Sequence, residues 1–176
     1  MTAQKMKNSF VLLVALTGFV VSPFKQHAQA AETIRRGWVG EGALGFIANT
    51  PDDTAFALNL NFDRFITDHL SVGPLVQLGF TGDMAQTAVS GQGKYWFDLT
   101  SGIHPLRMAL QSGIGFVNTD FRNDDTSWVI PFGAGLYYGG TDALDFGATF
   151  MLNFTDLDTG RDDSSIMPSL TFGVRY

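Results

Sequence analysis

The carboxy-terminal stretch, residues 166–176, reads IMPSLTFGVRY and alternates without a break. Pro168, Leu170, Phe172, Val174 and Tyr176 fall on one side, and Met167, Ser169, Thr171, Gly173 and Arg175 on the other. A period of two fits an extended strand, whose successive side chains point to opposite faces, and not a helix. Similar alternation recurs along the chain. Many long strands with one greasy face each must either gather those faces into a core or present them to hydrocarbon, and few folds allow either.

Taken in order, the first predicted strand covers residues 37–48, with Trp38, Gly40, Gly42, Leu44, Phe46 and Ala48 opposite Val39, Glu41, Ala43, Gly45 and Ile47. The second covers 55–65, with Phe56, Leu58, Leu60 and Phe62 opposite Asn59, Asn61 and Asp63. A short junction, 65–73, leads into the third, where Val72, Pro74, Val76, Leu78 and Phe80 oppose Gly73, Leu75, Gln77 and Gly79. The fourth is expected over 89–103, with Tyr95, Phe97 and Leu99 opposite Lys94, Trp96 and Asp98. A minimal link, His104-Pro105-Leu106, leads to the fifth, with Met108, Leu110, Ile114 and Phe116 opposite Arg107, Ala109 and Gln111. The sixth, 127–138, sets Trp128, Ile130, Phe132 and Leu136 against Val129, Pro131, Gly133 and Tyr137. Gly139-Gly140-Thr141-Asp142 reads as a hairpin turn before the seventh, 144–155, where Phe146, Phe150 and Phe154 oppose Asp145, Thr149 and Asn153. The eighth is the terminal stretch. Runs of about 10–13 residues suit tilted strands crossing a bilayer, which need roughly 9–11, better than soluble strands of about 5–6.

The apolar faces are broad and nearly free of charge, which water penalises and hydrocarbon requires. Aromatics gather near strand ends on that face, Trp38, Phe62, Tyr138, Phe146 and Tyr176 at one end and Phe46, Phe56, Phe80, Phe116, Trp128 and Phe154 at the other. Two such belts are what interfacial anchoring predicts. The opposite face is mostly Gly, Ala, Ser, Thr, Asn and Gln, which fits a narrow bore. A soluble lipocalin-type barrel would invert these faces. The strand pattern, the 65–73 hairpin and the terminal aromatic strand together resemble the small outer-membrane β-barrel superfamily: the OmpA transmembrane domain, OmpX/Ail-like and OmpW-like proteins. The resemblance implies an all-β, eight-stranded antiparallel up-and-down transmembrane barrel. It also implies that Phe172, Val174 and Tyr176 form a signal read by the outer-membrane assembly machinery.

Lys5 and Lys7, the apolar run 10–21 and Ala28-Gln29-Ala30 form a secretory signal peptide, so residues 1–30 are expected to be removed and 31–176 to form the barrel. The apolar run is too short for a spanning helix. No cysteine is present. A net charge of −6 with no basic stripe argues against nucleic acid. The signal would place the first strand's start in the periplasm of a Gram-negative cell. The breaks after strands one, three, five and seven then become external loops, expected to be longer than the turns after two, four and six.

Charged residues on the inward face are Glu41, Asp63, Lys94, Asp98, Arg107, Asp145 and Arg175. Confined charges must pair, because an unpaired one carries a large desolvation cost. Two readings stay open: a salt-bridged plug, or a gate passing small solutes. Pro74, Pro131 and Pro168 cannot donate to a ladder and are expected at rims or bulges. Asp52, Asp53, Asp83, Asp120, Asp124, Asp125, Asp156, Asp158, Asp162 and Asp163 are expected in external loops, solvated or, as a sharper reading, holding divalent cations. Some small outer-membrane barrels act on lipid A with a Ser and a His near the outer leaflet. Here His69 and His104 map to periplasmic turns, away from Ser127 and Ser164, so no enzyme, cofactor or metal centre is expected. The function implied is a non-catalytic envelope protein, structural or surface-interacting through four external loops. The alternative is a narrow porin-like channel for small or hydrophobic solutes. Expected partners are lipid and lipopolysaccharide, the assembly machinery and an extracellular or host partner, with the protein a monomer.

Overall fold

Alternating side chains become eight strands in the computed structural model, which describes residues 37–101, 104–121, 123–141, 144–158 and 163–176. They are β1 (Trp38–Thr50), β2 (Asp53–Phe65), β3 (Leu70–Phe80), β4 (Ala85–Asp98), β5 (Leu106–Phe121), β6 (Asn123–Gly139), β7 (Asp145–Asp158) and β8 (Asp163–Arg175). Each pairs antiparallel with its sequence neighbour, and β8 returns to β1, so the sheet is a closed barrel without a free edge. The seam runs from Ile47↔Ser169 to Glu41↔Arg175. It continues to the last residue, where Gly40 and Tyr176 exchange N–H···O bonds of 3.0 Å each way. Closure removes the open sheet edges that hydrocarbon would leave unsatisfied. The signal peptide expected over 1–30 lies outside the described residues.

The inward and outward faces follow the alternation. Leu44, Phe150 and Phe172 stand outward at 53%, 49% and 61% exposure, while Lys94 and Trp96 are inward at 0% and 1%. The greasy side chains therefore surround the cylinder, opposite to a soluble barrel. Phe46, Phe56 and Phe80 are successive ladder partners, and Phe116 pairs with Trp128, forming one belt. Trp38, Phe62, Tyr95, Tyr138, Phe146 and Tyr176 form the other. Between the belts, no outward strand residue among those described is charged. Arg64, the ladder partner of Trp38, is level with a belt.

Three expectations about connections are corrected. β4 begins at Ala85 and ends at Asp98, instead of covering 89–103, so the link to β5 is Leu99–Pro105 and not the minimal 104–106. The turn closes at Leu106, whose carbonyl accepts from the N–H of Leu99 and Thr100 and whose N–H donates to Thr100 Oγ1. At the other end of β4, Thr81 Oγ1 accepts from the N–H groups of Asp83 and Met84, a Ser/Thr turn that lets pairing begin at Ala85.

The loop asymmetry is also reversed. At the end away from the termini, β1 and β2 are joined by Pro51-Asp52, β3 and β4 by Thr81–Met84, β5 and β6 by residue 122, and β7 and β8 by residues 159–162. At the termini end, the connections Ile66–His69, Leu99–Pro105 and Gly140–Leu144 are as long or longer. Polar residues expected in loops are instead paired in ladders, as Asn118↔Thr126, Thr119↔Asp125 and Asp120↔Asp124 show. Strand pairing continues beyond the aromatic belt, where polar side chains meet water and cost nothing. Asp53, Asp120, Asp124, Asp125, Asp156, Asp158 and Asp163 are accordingly strand residues; Asp52 and Asp83 lie in turns, and Asp162 is outside the described residues. The β1–β2 hairpin relies on left-handed backbone at Asn49 (φ 58°) and Asp53 (φ 67°), residue types that tolerate it.

Finally, Pro74 and Pro131 do not sit at rims. Each has a ladder partner on one side only: Pro74 pairs with Gly91 on β4, and Pro131 with Asn153 on β7. On the other side the pairing lapses, between Asn61↔Leu75 and Arg64↔Val72 and between Ser112↔Phe132 and Gly115↔Val129. An antiparallel residue directs its N–H to one neighbour only, so a missing donor opens a gap on one side and leaves the other intact. Pro168 pairs with Leu152, one residue beyond the end of the β1 seam and close to the irregularity between Phe154 and Leu157.

Candidate functional site in the bore

The seven inward charges fall at the termini end, as one triad and two pairs. Lys94, on β4, places its Nζ 2.8 Å from Asp63 Oδ2 of β2 and 3.2 Å from Glu41 Oε2 of β1. The Tyr137 hydroxyl, from β6, lies 3.2 Å from both Glu41 carboxylate oxygens and donates to that carboxylate. All four residues are buried. Nearer the mouth, Arg107 Nε donates to Asp98 Oδ1 at 2.8 Å, and Arg175 Nη2 pairs with Asp145 Oδ2 at 3.2 Å. Both Asp side chains are partly exposed, so these pairs face water at the rim while the triad does not.

Aromatic rings join the three groups. Trp96 sits between two guanidinium groups, with Arg175 Cζ 4.3 Å and Arg107 Cζ 4.8 Å from its ring. Cations over an indole face are drawn to its quadrupole, more strongly where water is scarce. The Tyr137 ring packs 5.0 Å from Trp96, and Phe65 packs at 5.8 Å on a tilted plane. The indole N–H donates to Ser71 Oγ at 2.9 Å. Two glycines make room for Tyr137: a Cβ on Gly135 or on Gly147 would come within 2.7 Å of its ring. In so narrow a cylinder, a large inward side chain needs such empty positions beside it.

Above this tier the bore is lined with amides and hydroxyls. Gln92 Nε2 donates to Asn61 Oδ1 at 2.5 Å and Asn153 Nδ2 to the Met167 carbonyl at 3.1 Å. Asn59 Oδ1, Gln77 Nε2, Gln92 Oε1, Ser169 Oγ and Thr171 Oγ1 are buried with no hydrogen-bond partner within the chain. Beyond them, towards the hairpin end, Ile47, Ala57, Ala88, Val117, Val129, Leu157 and Met167 form a contiguous aliphatic cluster. Inward parity had put Ile47 and Val129 in the bore, but not as part of an apolar tier. The expected polar-and-glycine filling thus describes only the middle. Ser71 and the double stacking on Trp96 were also missed. A strand residue's face is legible from parity, whereas its neighbours four strands away depend on register.

His69 and His104 lie in turns at the termini end, where each Nδ1 meets a backbone carbonyl, of Trp96 and Gly139 respectively. Ser127, on β6, is at the opposite end, close to the start of its strand. The Ser164 side chain is outside the described residues. Among the described residues no cluster of His, Asp or Glu is arranged to hold a metal.

No protein-family model and no curated protein matches the chain. Solved structures do. The amino-terminal β-barrel domain of Pseudomonas aeruginosa OprF matches with a TM-score of 0.56 at 18% identity, over 80% of this chain and 98% of that one. The chain has the fold of the small eight-stranded outer-membrane barrels. Neisserial surface protein A, NspA, matches with a TM-score of 0.56 at 16% identity, over 78% of this chain and 94% of that one. The outer-membrane enzyme PagL matches with a TM-score of 0.50 at 13% identity, over 78% and 97%. Identities this low establish the architecture alone. The outer-membrane barrel fold hosts an enzyme as well as other proteins, so function must be argued from the residues of this bore.

Proposed function

We propose that the chain is a non-catalytic protein of the Gram-negative outer membrane, with a closed bore, serving a structural or surface-interacting role through its four external hairpins. The observation that carries this reading is the ion-paired aromatic tier of Glu41, Asp63, Lys94, Trp96, Tyr137 and Arg175, which fills the bore near one mouth. At eight strands the interior is just wide enough for side chains, and here they pack against one another, which supports a plug over a conduit. The separation of His69 and His104 from Ser127 supports a role without acyl-transfer chemistry, because a hydroxyl nucleophile needs a base within hydrogen-bond reach.

In this reading residues 1–30 direct secretion and are removed, and the termini end faces the periplasm. Phe172, Val174 and Tyr176 present the assembly signal on the outward face of β8. The Asp-rich hairpin end faces the medium, where it meets lipopolysaccharide and an extracellular or host partner. The protein acts as a monomer. Planar-bilayer recording on purified protein tests the closed bore: no steady single-channel current is expected, and a steady current would overturn it. Shortening the β5–β6 hairpin between Asn118 and Thr126 tests the surface role. Loss of cell attachment with unchanged barrel yield is the expected outcome, and unchanged attachment counts against it.

A further inference from the structure

The bore is closed twice. At the termini end the closure is ionic and aromatic. At the hairpin end it is aliphatic: Ile47, Val117, Leu157 and Met167 are no more than 1% exposed although they lie close to strand ends, and they touch one another as one cluster. The described connections there add one buried apolar side chain, Met84 against Ala55, and the strand side chains of the cluster fill the lumen behind it. Between the two tiers lie the buried polar atoms of Asn59, Gln77, Gln92, Ser169 and Thr171 that have no partner in the chain. A buried polar atom left unpaired costs about 1–3 kcal/mol. Several together, contributed by four different strands around one lumen, make a site that water satisfies, since a buried water bonds about three such groups.

We propose that the barrel encloses a sealed hydrated compartment between two barriers in series, of which the aliphatic one excludes ions by dewetting and acts independently of the salt bridges. An apolar constriction blocks ions without any charge, because an ion cannot shed its hydration shell against carbon. Either tier alone therefore suffices to stop conduction, and opening one only connects the compartment to one side of the membrane. The inference rests on the closed-bore reading above.

Two sets of substitutions separate the barriers: Trp96→Ser with Tyr137→Ser at the termini end, and Val117→Ser, Leu157→Ser and Met167→Ser at the hairpin end. In planar bilayers each set alone is expected to stay silent. The combined variant is expected to give steady ohmic steps. Conduction by either set alone overturns the series arrangement. Silence of the combined variant, with heat-modifiable gel migration showing it folded, overturns the hydrated compartment. A steady current from the parent protein would instead sink the closed-bore reading itself. Should the combined variant fail to fold, the parent decides the matter in detergent micelles. Cross-relaxation between water and the side-chain amide protons of Asn59, Gln77 and Gln92 is expected by NMR, and its absence at all three overturns the proposal.

Discussion

Replacing Lys94 by methionine tests how dry the bore is around the triad. The ammonium lies 2.8 Å from one carboxylate and 3.2 Å from another. At an effective dielectric of about 20, each contact amounts to roughly 5–6 kcal/mol of gross attraction. Desolvation of several kcal/mol per ion offsets most of that, so the intact triad contributes little net stability. Its members are nevertheless not separable. Lys94→Met leaves Glu41 and Asp63 facing each other, both inward and at most 6% exposed, with only the Tyr137 hydroxyl to help. Removing one partner of a buried ion pair costs about 3–5 kcal/mol. Removing all three charges, Glu41→Gln, Asp63→Asn and Lys94→Met together, is expected to lie within about 2 kcal/mol of the parent. Equilibrium urea unfolding in lipid vesicles, followed by tryptophan fluorescence, reads both values at unchanged m. A single variant within about 1 kcal/mol of the parent would show that water reaches these carboxylates. A triple variant as unstable as the single one would show that packing, not charge, explains the loss.

Other substitutions probe the remaining surfaces. Phe150→Arg places a cation on the outer face between the belts and is expected to destabilise by about 2–4 kcal/mol in vesicle unfolding, whereas Trp128→Arg in a belt costs about 0–1. Trp96→Ala removes a fully buried indole, both cation–π partners and the bond to Ser71, and is expected to cost about 3–5 kcal/mol, against about 1 for Ser71→Ala. Phe172→Ala with Tyr176→Ala is expected to lower the yield of assembled protein in cells several-fold while spontaneous refolding into micelles proceeds; equal losses in both assays would make these residues merely structural.

Face assignment was legible because parity is local: a residue's side of a strand depends only on its neighbours in sequence. Every strand confirmed it, including β1, where Glu41 was the one charge in an otherwise small and apolar segment. Strand ends were less legible. Hydropathy marks where strands leave the membrane, but pairing continues as long as turn chemistry allows. Thr81, with its hydroxyl on two backbone N–H groups, starts β4 at Ala85 well before the apolar pattern begins. The prolines misled for a related reason: the rule that proline avoids ladders ignores that each strand residue donates to one neighbour only. Within the candidate site, charge pairing followed from confinement. The partners did not, because Lys94 meets Glu41 across strands 53 positions apart in sequence.

The division of the bore follows from how a narrow cylinder is filled. Inward positions are too few and too close for every strand to contribute a large side chain at one level, so bulk at one position demands glycine at others. Tyr137 lies over Gly135 and Gly147, and the outward Tyr176 ring covers Gly40 in the same way, within 2.9 Å of where a Cβ would stand. The many glycines are therefore volume complements to aromatics more than sites of backbone freedom. Where Trp96 and Tyr137 meet two guanidiniums, such gaps are filled by rings and charge. Towards the hairpin end, branched or long aliphatic side chains from five strands, with two alanines from two more, fill the lumen instead. The middle tier has neither rings nor a continuous aliphatic cluster, and the unpartnered amide and hydroxyl groups of Asn59, Gln77, Gln92, Ser169 and Thr171 lie there. Enlarging an inward glycine that no ring covers should therefore cost little. Gly79→Ala, towards the hairpin end, is a fair case, since its Cβ would meet Gln86 Cβ at 3.5 Å, Ala55 Cβ at 3.6 Å and Ile47 Cδ1 at 3.9 Å, ordinary contacts. The change should shift stability by under about 1 kcal/mol, whereas Gly147→Ala must push Tyr137 off Glu41 and lose more than that. Equal effects from the two would refute the idea that glycine sets volume here.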